Sequence, residues 1–480
     1  MKKDEISALS TRQKGKTLDE FKISPLFDEY RALPDSVIRP NEPKLHKFLE
    51  AMRRSLSKEN WPFLLPYKLT LEVCTHCGTC AEACPVFIGS GRKRIYNPLY
   101  RADMLRKIYK RYFTLSGKIF GKFVGAEDAK EEDINSLAEA AYRCTICRRC
   151  AVACPFGLDN GLIMRETRKI LADIGIAPDE LRENGVYTQL RTGNAPNIPY
   201  EAYINILEFL KQDIRERKGV NVDVPVDEKG AKYLVINNAG DYLAFTDTVA
   251  GIIEIMNYVK ADWTLNSSKT GLFDVVNYGL FYSDKDMMKV IKAHLETFKR
   301  LDPEYVVLGE CGHAFDVLKH ITTDLIPPEE RPFKIISWME LLDQWIKEGK
   351  LMLDPNKNPE PVTFHDSCKW GRCGGIYEEP RRILRASCKD FREMYPNREW
   401  NYCCGGGGGF AIMSKYNFLQ FRMETYGKIK AKQLRDTGAK IVATICSNCK
   451  AQFREMINYY NLDMRFSGVS ELVANALVYK

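Results

Sequence analysis

The sequence predicts an α+β multidomain fold: a helical, cysteine-rich first half followed by two pseudo-repeated α/β lobes. Three observations predict it. Twin four-cysteine runs flank a long helical insert, strand and glycine-loop segments recur in the second half, and 480 residues suffice for two or three domains, each with its own core. No apolar run approaches the roughly 18 residues that span a bilayer, and the opening MKKDEISALSTRQKGK has no apolar signal region, so a cytoplasmic, unprocessed chain is expected. Sixteen cysteines in that compartment point to metal ligation, because cytosolic thiols are kept reduced. The formal charge of +8 counts every cysteine as neutral. Two four-iron centres with their thiolates would lower it to about +4, which weakens any nucleic-acid reading.

Residues 1–64 are polar and proline-punctuated, as in DEYRALPDSVIRPNEPKLHKF, and read as an arm that wraps a neighbour or another part of the chain. Residues 65–200 carry Cys74, Cys77, Cys80 and Cys84 before Pro85, then Cys144, Cys147, Cys150 and Cys154 before Pro155. Each run is C-x2-C-x2-C-x3-C-P, the bacterial ferredoxin pattern, whose first three thiolates wrap one [4Fe-4S] cube while the fourth reaches the other. Cys74, Cys77, Cys80 and Cys154 are therefore expected on one cluster, and Cys144, Cys147, Cys150 and Cys84 on the second. Zinc is the alternative for a single C-x2-C, and duplication argues against it. The 59 residues between the runs have apolar positions at three and four spacing, which reads as helix. The basic stretches SGRKRIY and YKRYF read as a solvated face or as docking points.

Residues 201–230 are expected as a linker. Beyond them KYLVINNAGD, VVNYGLFYS and YVVLGECGHAF (residues 231–348) match PVTFHDSC, WNYCCGGGGGF and KIVATICSNCK (residues 349–480) in order and type. The second lobe holds Cys368, Cys403, Cys404, Cys446 and Cys449 as C-x34-C-C-x41-C-x2-C. In the first lobe the paired-cysteine position reads Asn277-Tyr278, the Cys368 equivalent falls near Gly240, and only Cys311 remains. Cys446 and Cys449 fall where a strand passes into a helix, whose N-terminal partial charge favours an anion. Zinc on Cys446, Cys449 and the adjacent pair is the competing reading. Cys373 and Cys388 fit no motif.

The first half resembles the helical ferredoxin domains of succinate dehydrogenase and heterodisulfide reductase. The second lobe resembles the CCG domain of heterodisulfide reductases, and the fused arrangement resembles their HdrD type. FIGSG, CRRC, RTGN, GDY, NYGLF, GECGH and TFHDSC are closer still to the cytoplasmic DsrK-type iron–sulfur subunits of the membrane complex associated with dissimilatory sulfite reductase, and to their paralogues. The resemblance spans residues 65 to 480 and implies a noncubane [4Fe-4S] cluster on Cys368, Cys403, Cys404, Cys446 and Cys449, at which a disulfide is reduced. Gly405 and Gly406 would then let backbone approach the cluster and donate N–H bonds to its sulfurs. The depleted first lobe argues against a second noncubane cluster.

Disulfide cleavage takes two electrons and a cube passes one, so a wire needs a terminal site that holds a half-reduced substrate. The resemblance implies an anaerobic respiratory complex in which electrons come from a membrane haem- or quinone-reactive subunit; the chain is then expected on the cytoplasmic membrane through its partners, with a small-molecule or protein disulfide as substrate and no nucleic acid. His313, beside Cys311, is a candidate proton donor near pKa 6.5 or a structural histidine; His365 invites the same suggestion more weakly. The rival function is an electron relay in glycolate oxidase, glycerol-3-phosphate or succinate dehydrogenase complexes. The chain has no G-x-G-x-x-G after a strand and no P-loop, so any flavin or nucleotide is expected in another subunit.

Overall fold

Side-chain caps divide the first half into helices. Asn97 accepts the Leu99 N–H and Pro98 opens the helix Pro98–Phe113, three carboxylates sit in the first turn of Glu131–Tyr142, and Asp159 accepts from Gly161 and Leu162 to start Asn160–Asp173. The computed structural model describes residues 44–413 and 418–479, apart from the side chains of Trp61 and Pro62. Asn160–Asp173 is the axis of this half, with Ile163, Met164, Ile170 and Leu171 buried against the two other helices and against Leu45–Ser55. That last helix corrects the arm's boundary: Phe48, Ala51 and Met52 share one apolar face and are sealed in the core. The first 43 residues, and the wrapping expected of them, lie outside the described residues. The expected linker is also corrected. Tyr200–Lys218 is a helix whose Tyr203, Leu207, Leu210 and Ile214 recur at helical spacing and pack toward the first lobe.

The second half is two four-stranded parallel sheets of one topology. The first holds β1 (Tyr233–Ile236), β2 (Trp263–Thr264), β3 (Tyr305–Leu308) and β4 (Lys334–Ser337) in the order β2-β1-β3-β4. The second holds β5 (Val362–Phe364), β6 (Phe391–Arg392), β7 (Ile441–Thr444) and β8 (Arg465–Gly468) in the order β6-β5-β7-β8. Ile236 lies opposite Leu308 and Phe364 opposite Ala443, so Gly240 corresponds to Cys368, Cys311 to Cys446 and His313 to Asn448. The near-continuous apolar strands reflect cover on both faces.

The lobes meet across buried polar contacts. Glu310 accepts from the Ser470 N–H and hydroxyl at 2.8 and 2.7 Å and pairs with buried Lys450 at 3.2 Å, and its carbonyl accepts the Ser447 N–H. Helix Thr246–Tyr258 approaches Val469–Ala476 so closely that a Cβ on Gly251 would lie 2.7 Å from the Ser470 carbonyl. This contact holds the two sheets in fixed register with each other.

Candidate metal centres

Each four-cysteine run bends through left-handed residues, His76 and Gly78 in the first and Ile146 and Arg148 in the second, so three thiols turn inward. A short helix follows, Thr79–Ala83 or Arg149–Val152, and carries the fourth cysteine away. The result is crossed. Cys74, Cys77, Cys80 and Cys154 line one cavity, and Cys84, Cys144, Cys147 and Cys150 line another, with Asn160 in the wall of both. Cys77 is exposed, whereas burial pushes the Cys84 thiol up to about 12 and Cys150 well above its usual range. One cavity is therefore outer and the other inner. Buried Arg101 lines the inner one with its Nη2 unpaired.

The five second-lobe cysteines come together from three elements. Cys368 follows β5, Cys403 and Cys404 lie on the glycine loop, and Cys446 is the N-cap of helix Ser447–Tyr460, whose first turn carries Cys449. The Cys404 and Cys449 sulfurs are 3.3 Å apart. Contacts with Cys403, Cys449 and His365 hold the Cys404 thiol well below its usual range, while Cys403 and Cys449 are held well above theirs. Cys403 also reaches Cys368 and, across the domain boundary, the inner-cavity Cys147, which it pulls down to about 5. The Thr145 hydroxyl lies 3.4 Å from the Cys403 sulfur.

The glycine loop serves two surfaces. Gly405 and Gly406 direct N–H groups at the Cys403 and Cys404 sulfurs, each at 3.4 Å. Gly408, at φ +66°, lies against the inner run, where a Cβ would stand 2.8 Å from Thr145 Cα, and a Cβ on Gly406 would strike the Asn448 carbonyl. Close approach of polypeptide therefore requires glycine here, whatever the loop also does for a cluster.

Three cations surround these thiols, and none has an ion-pair partner among the described residues. Fully buried Arg168 gives Nη1 to the Gly408 carbonyl and Nη2 to the Cys144 carbonyl, both at 2.7 Å. Arg372 donates to the carbonyls of Cys147, Glu399 and Asn401 and keeps a sealed Nη2 unpaired. Lys430, pushed down to about 7 by burial, donates to Asn401 Oδ1 at 2.8 Å. Gln452 adds a buried amide with neither polar atom bonded, beside Gly405. Five converging thiols, unpaired donors and uncompensated cations fit an anionic, sulfide-rich cluster.

His365, Cys404 and Cys449 could instead hold one ion, since their ligand atoms lie within 4.8 Å of one another. The hydrogen bonds oppose that. Lys430 can only donate to Asn401 Oδ1 and the Asp366 carbonyl can only accept from Asn401 Nδ2, so that amide also donates to His365 Nδ1, at 3.0 Å. His365 must carry its proton on Nε2, as a donor to Cys404 rather than a metal ligand. Burial, then Lys369, pushes His313 down to about 3, which favours the structural reading of this residue over the proton donor. Its Nδ1 meets Asn448 at 2.6 Å, its counterpart in the other lobe. Cys311 is buried near Cys446 with its thiol pushed up by burial, Cys373 is half-buried beside Arg148, and Cys388 is buried against Ser387. Asn401, Lys430, Arg168, Arg372 and Gln452 have no sequence signal.

Two segments of the chain match known protein families. Residues 70–158 match the model of the 4Fe-4S dicluster domain, and residues 362–454 match that of the cysteine-rich CCG domain. The chain is an iron–sulfur protein with a dicluster ferredoxin domain and an HdrD-like CCG domain. It is 27% identical to the Hdr-like menaquinol oxidoreductase iron-sulfur subunit 2 of Archaeoglobus fulgidus, over 95% of this chain and 87% of that one. It is 25% identical to the HdrD component of the dihydromethanophenazine:CoB–CoM heterodisulfide reductase of Methanosarcina mazei, over 85% and 94%. A probable membrane-anchored ferredoxin of Chromohalobacter salexigens is 25% identical over 85% of this chain and 60% of its own. No solved structure matches the chain. Among the described residues no helix is long and apolar enough to cross a membrane.

Proposed function

We propose that the chain conducts electrons from the outer four-cysteine site through the inner one to the CCG cysteines, where a disulfide is reduced, as the DsrK-type or HdrD-type component of a membrane-associated redox complex. A single observation carries the order of the path: the inner run meets the CCG set, with the Thr145 hydroxyl 3.4 Å from the Cys403 sulfur, while exposed Cys77 leaves the outer site open to a donor. Cys74, Cys77, Cys80 and Cys154 would hold the first cube, Cys84, Cys144, Cys147 and Cys150 the second, and Cys368, Cys403, Cys404, Cys446 and Cys449 a noncubane centre. When bound, these centres supply electrons one at a time. Arg168, Arg372 and Lys430 offset the negative charge that accompanies them, and His365, fixed by Asn401, directs Nε2–H at Cys404. The names of the relatives support menaquinol or a similar carrier as donor and a heterodisulfide as acceptor.

A second reading is favoured by the membrane-anchored ferredoxin relative: the CCG site only relays electrons and carries no substrate chemistry of its own. Electron paramagnetic resonance of anaerobically purified protein after thiol oxidation separates the two. A substrate-sensitive signal with unusually high g-values, lost in Cys404→Ser, is the expected result. Signals from cubes alone, indifferent to added disulfide, would leave the relay.

A further inference from the structure

The insert between the two cysteine runs ends in a tip that neither run uses. Thr114 caps the short helix Leu115–Phe120 by accepting the Gly117 N–H at 3.1 Å, and its hydroxyl returns to the Lys110 carbonyl at 2.8 Å. Gly121, at φ +49°, and Gly125, at φ +74°, then fold the chain back through Gly121–Val124. A Cβ on Gly117 would collide with the Lys110 carbonyl, and Lys110 Nζ donates to the Val124 carbonyl at 2.9 Å, so the tip is clamped at both ends.

The clamped tip turns its apolar side chains outward. Leu115 is 75% exposed, Ile119 64%, Phe120 57% and Phe123 98%, four large apolar groups within nine residues. Isolated exposed side chains need no explanation, but a contiguous set on a fixed projection marks a surface that something covers. Lys118 and Lys122 are interleaved with them, and neither has an ion pair among the described residues. The neighbouring cations are committed elsewhere: Lys107 pairs with Glu127 and Arg111 with Asp128. Of the basic stretches, SGRKRIY is likewise engaged, with Arg92 forked onto Glu82 and Arg94 over the Tyr100 ring.

We propose that residues 115–124 insert into an anionic lipid surface, with Leu115, Ile119, Phe120 and Phe123 among the acyl chains and Lys118 and Lys122 against the headgroup phosphates. The charge pattern decides for lipid over a protein groove. An exposed tip with cations set between its apolar side chains along the chain matches a layer of negative charge lying over hydrocarbon, and both kinds of side chain are satisfied by one insertion. This contact is direct and does not depend on the redox function, although it would turn the outer site's domain toward a membrane donor.

Anaerobically purified, iron-loaded protein should be floated with phosphatidylcholine vesicles and with vesicles that also contain phosphatidylglycerol. Two lysines near the surface predict a preference for the anionic vesicles of roughly thirty-fold, removed by high salt. Phe120→Ser with Phe123→Ser should abolish flotation, and Lys118→Glu with Lys122→Glu should abolish the anionic preference. Both pairs are exposed, and an unchanged iron content identifies them as folded. No flotation of the native protein, or flotation that both double variants retain, overturns the proposal. So does a tip variant that loses binding to a detergent-solubilised membrane subunit while native protein ignores vesicles, because a protein groove would then be the occupant.

Discussion

Arg168→Met would remove the guanidinium that joins the inner four-cysteine site to the glycine loop. Arg168 reaches five backbone carbonyls, those of Ala141, Tyr142, Cys144, Phe281 and Gly408, and only the Cys144 and Gly408 bonds are as short as 2.7 Å. Leaving these two buried carbonyls without a donor costs about 1–3 kcal/mol each, and the three longer bonds add a fraction more, for a total of about 4 kcal/mol. For domains of this size that corresponds to a fall in Tm of roughly 10 °C. Arg168→Lys keeps the charge but has no fork to span both carbonyls, so it should recover less than half of the loss. Anaerobic calorimetry with iron counting on the same samples measures the effect. If Arg168→Met melts within about 1 °C of the native protein and keeps its full iron content, the guanidinium does not join the two sites and the argument fails.

Asn401→Leu would release His365 from its fixed tautomer and weaken the bond to Cys404. Losing about 1 kcal/mol of stabilisation of the more negative state should lower the CCG centre's potential by roughly 40 mV in a spectroscopic redox titration, and an unmoved potential would count against the relay. Burial lowers Lys430 to about 7 against about 10.4 in an unfolded chain, so the unfolded state binds more protons between those values and stability rises with pH there. Denaturant titrations of iron-free protein should show the unsubstituted chain gaining on Lys430→Met from pH 7 to pH 9 by at most about 1.4 kcal/mol per unit, and a constant difference would place Lys430's charge elsewhere. His313→Gln should leave no missing ionisation near pH 6.5 in a turnover profile, because His313 is already neutral there; disappearance of such a limb would restore it as an acid. Iron and acid-labile sulfide assays should give about twelve irons per chain, and about eight would remove the CCG centre.

Much of the fold was legible because its signals are local or repeated. The two proline-ended runs imply crossed cavities, since a fourth cysteine carried off by a short helix cannot return to its own three, and the β-branched strands with their loops announced two copies of one sheet. The registers that pair Gly240 with Cys368 and Cys311 with Cys446 follow from that repetition. What surrounds the thiols was not legible. Arg168 lies in RETRK, which reads as a solvated helix face until three packed layers close over it. Lys430 lies in KIKAK, where only tertiary packing separates the buried lysine from half-buried Lys428 and exposed Lys432. The contact between Thr145 and Cys403 joins residues far apart in sequence, and no spacing rule reports which four-cysteine site faces the CCG set. His313 does lie between the lobes, but its proton affinity depends on burial and on Lys369, which a pseudo-symmetry argument does not supply.

Crossing has a mechanical consequence. With three thiols from one run and one from the other, metal bound in either cavity would act as an inorganic cross-link, closing a loop of about 60–80 residues through the insert. By loop-closure entropy alone such a tie removes about 4 kcal/mol of disorder from the unfolded chain, comparable to a long-range disulfide. The two ties share their anchoring segments, so oxidation at exposed Cys77 would also slacken the short helix that delivers Cys154, and through it the run that holds Cys150. Loading and loss of iron should therefore be all-or-none across this half, with the outermost thiol as its fuse.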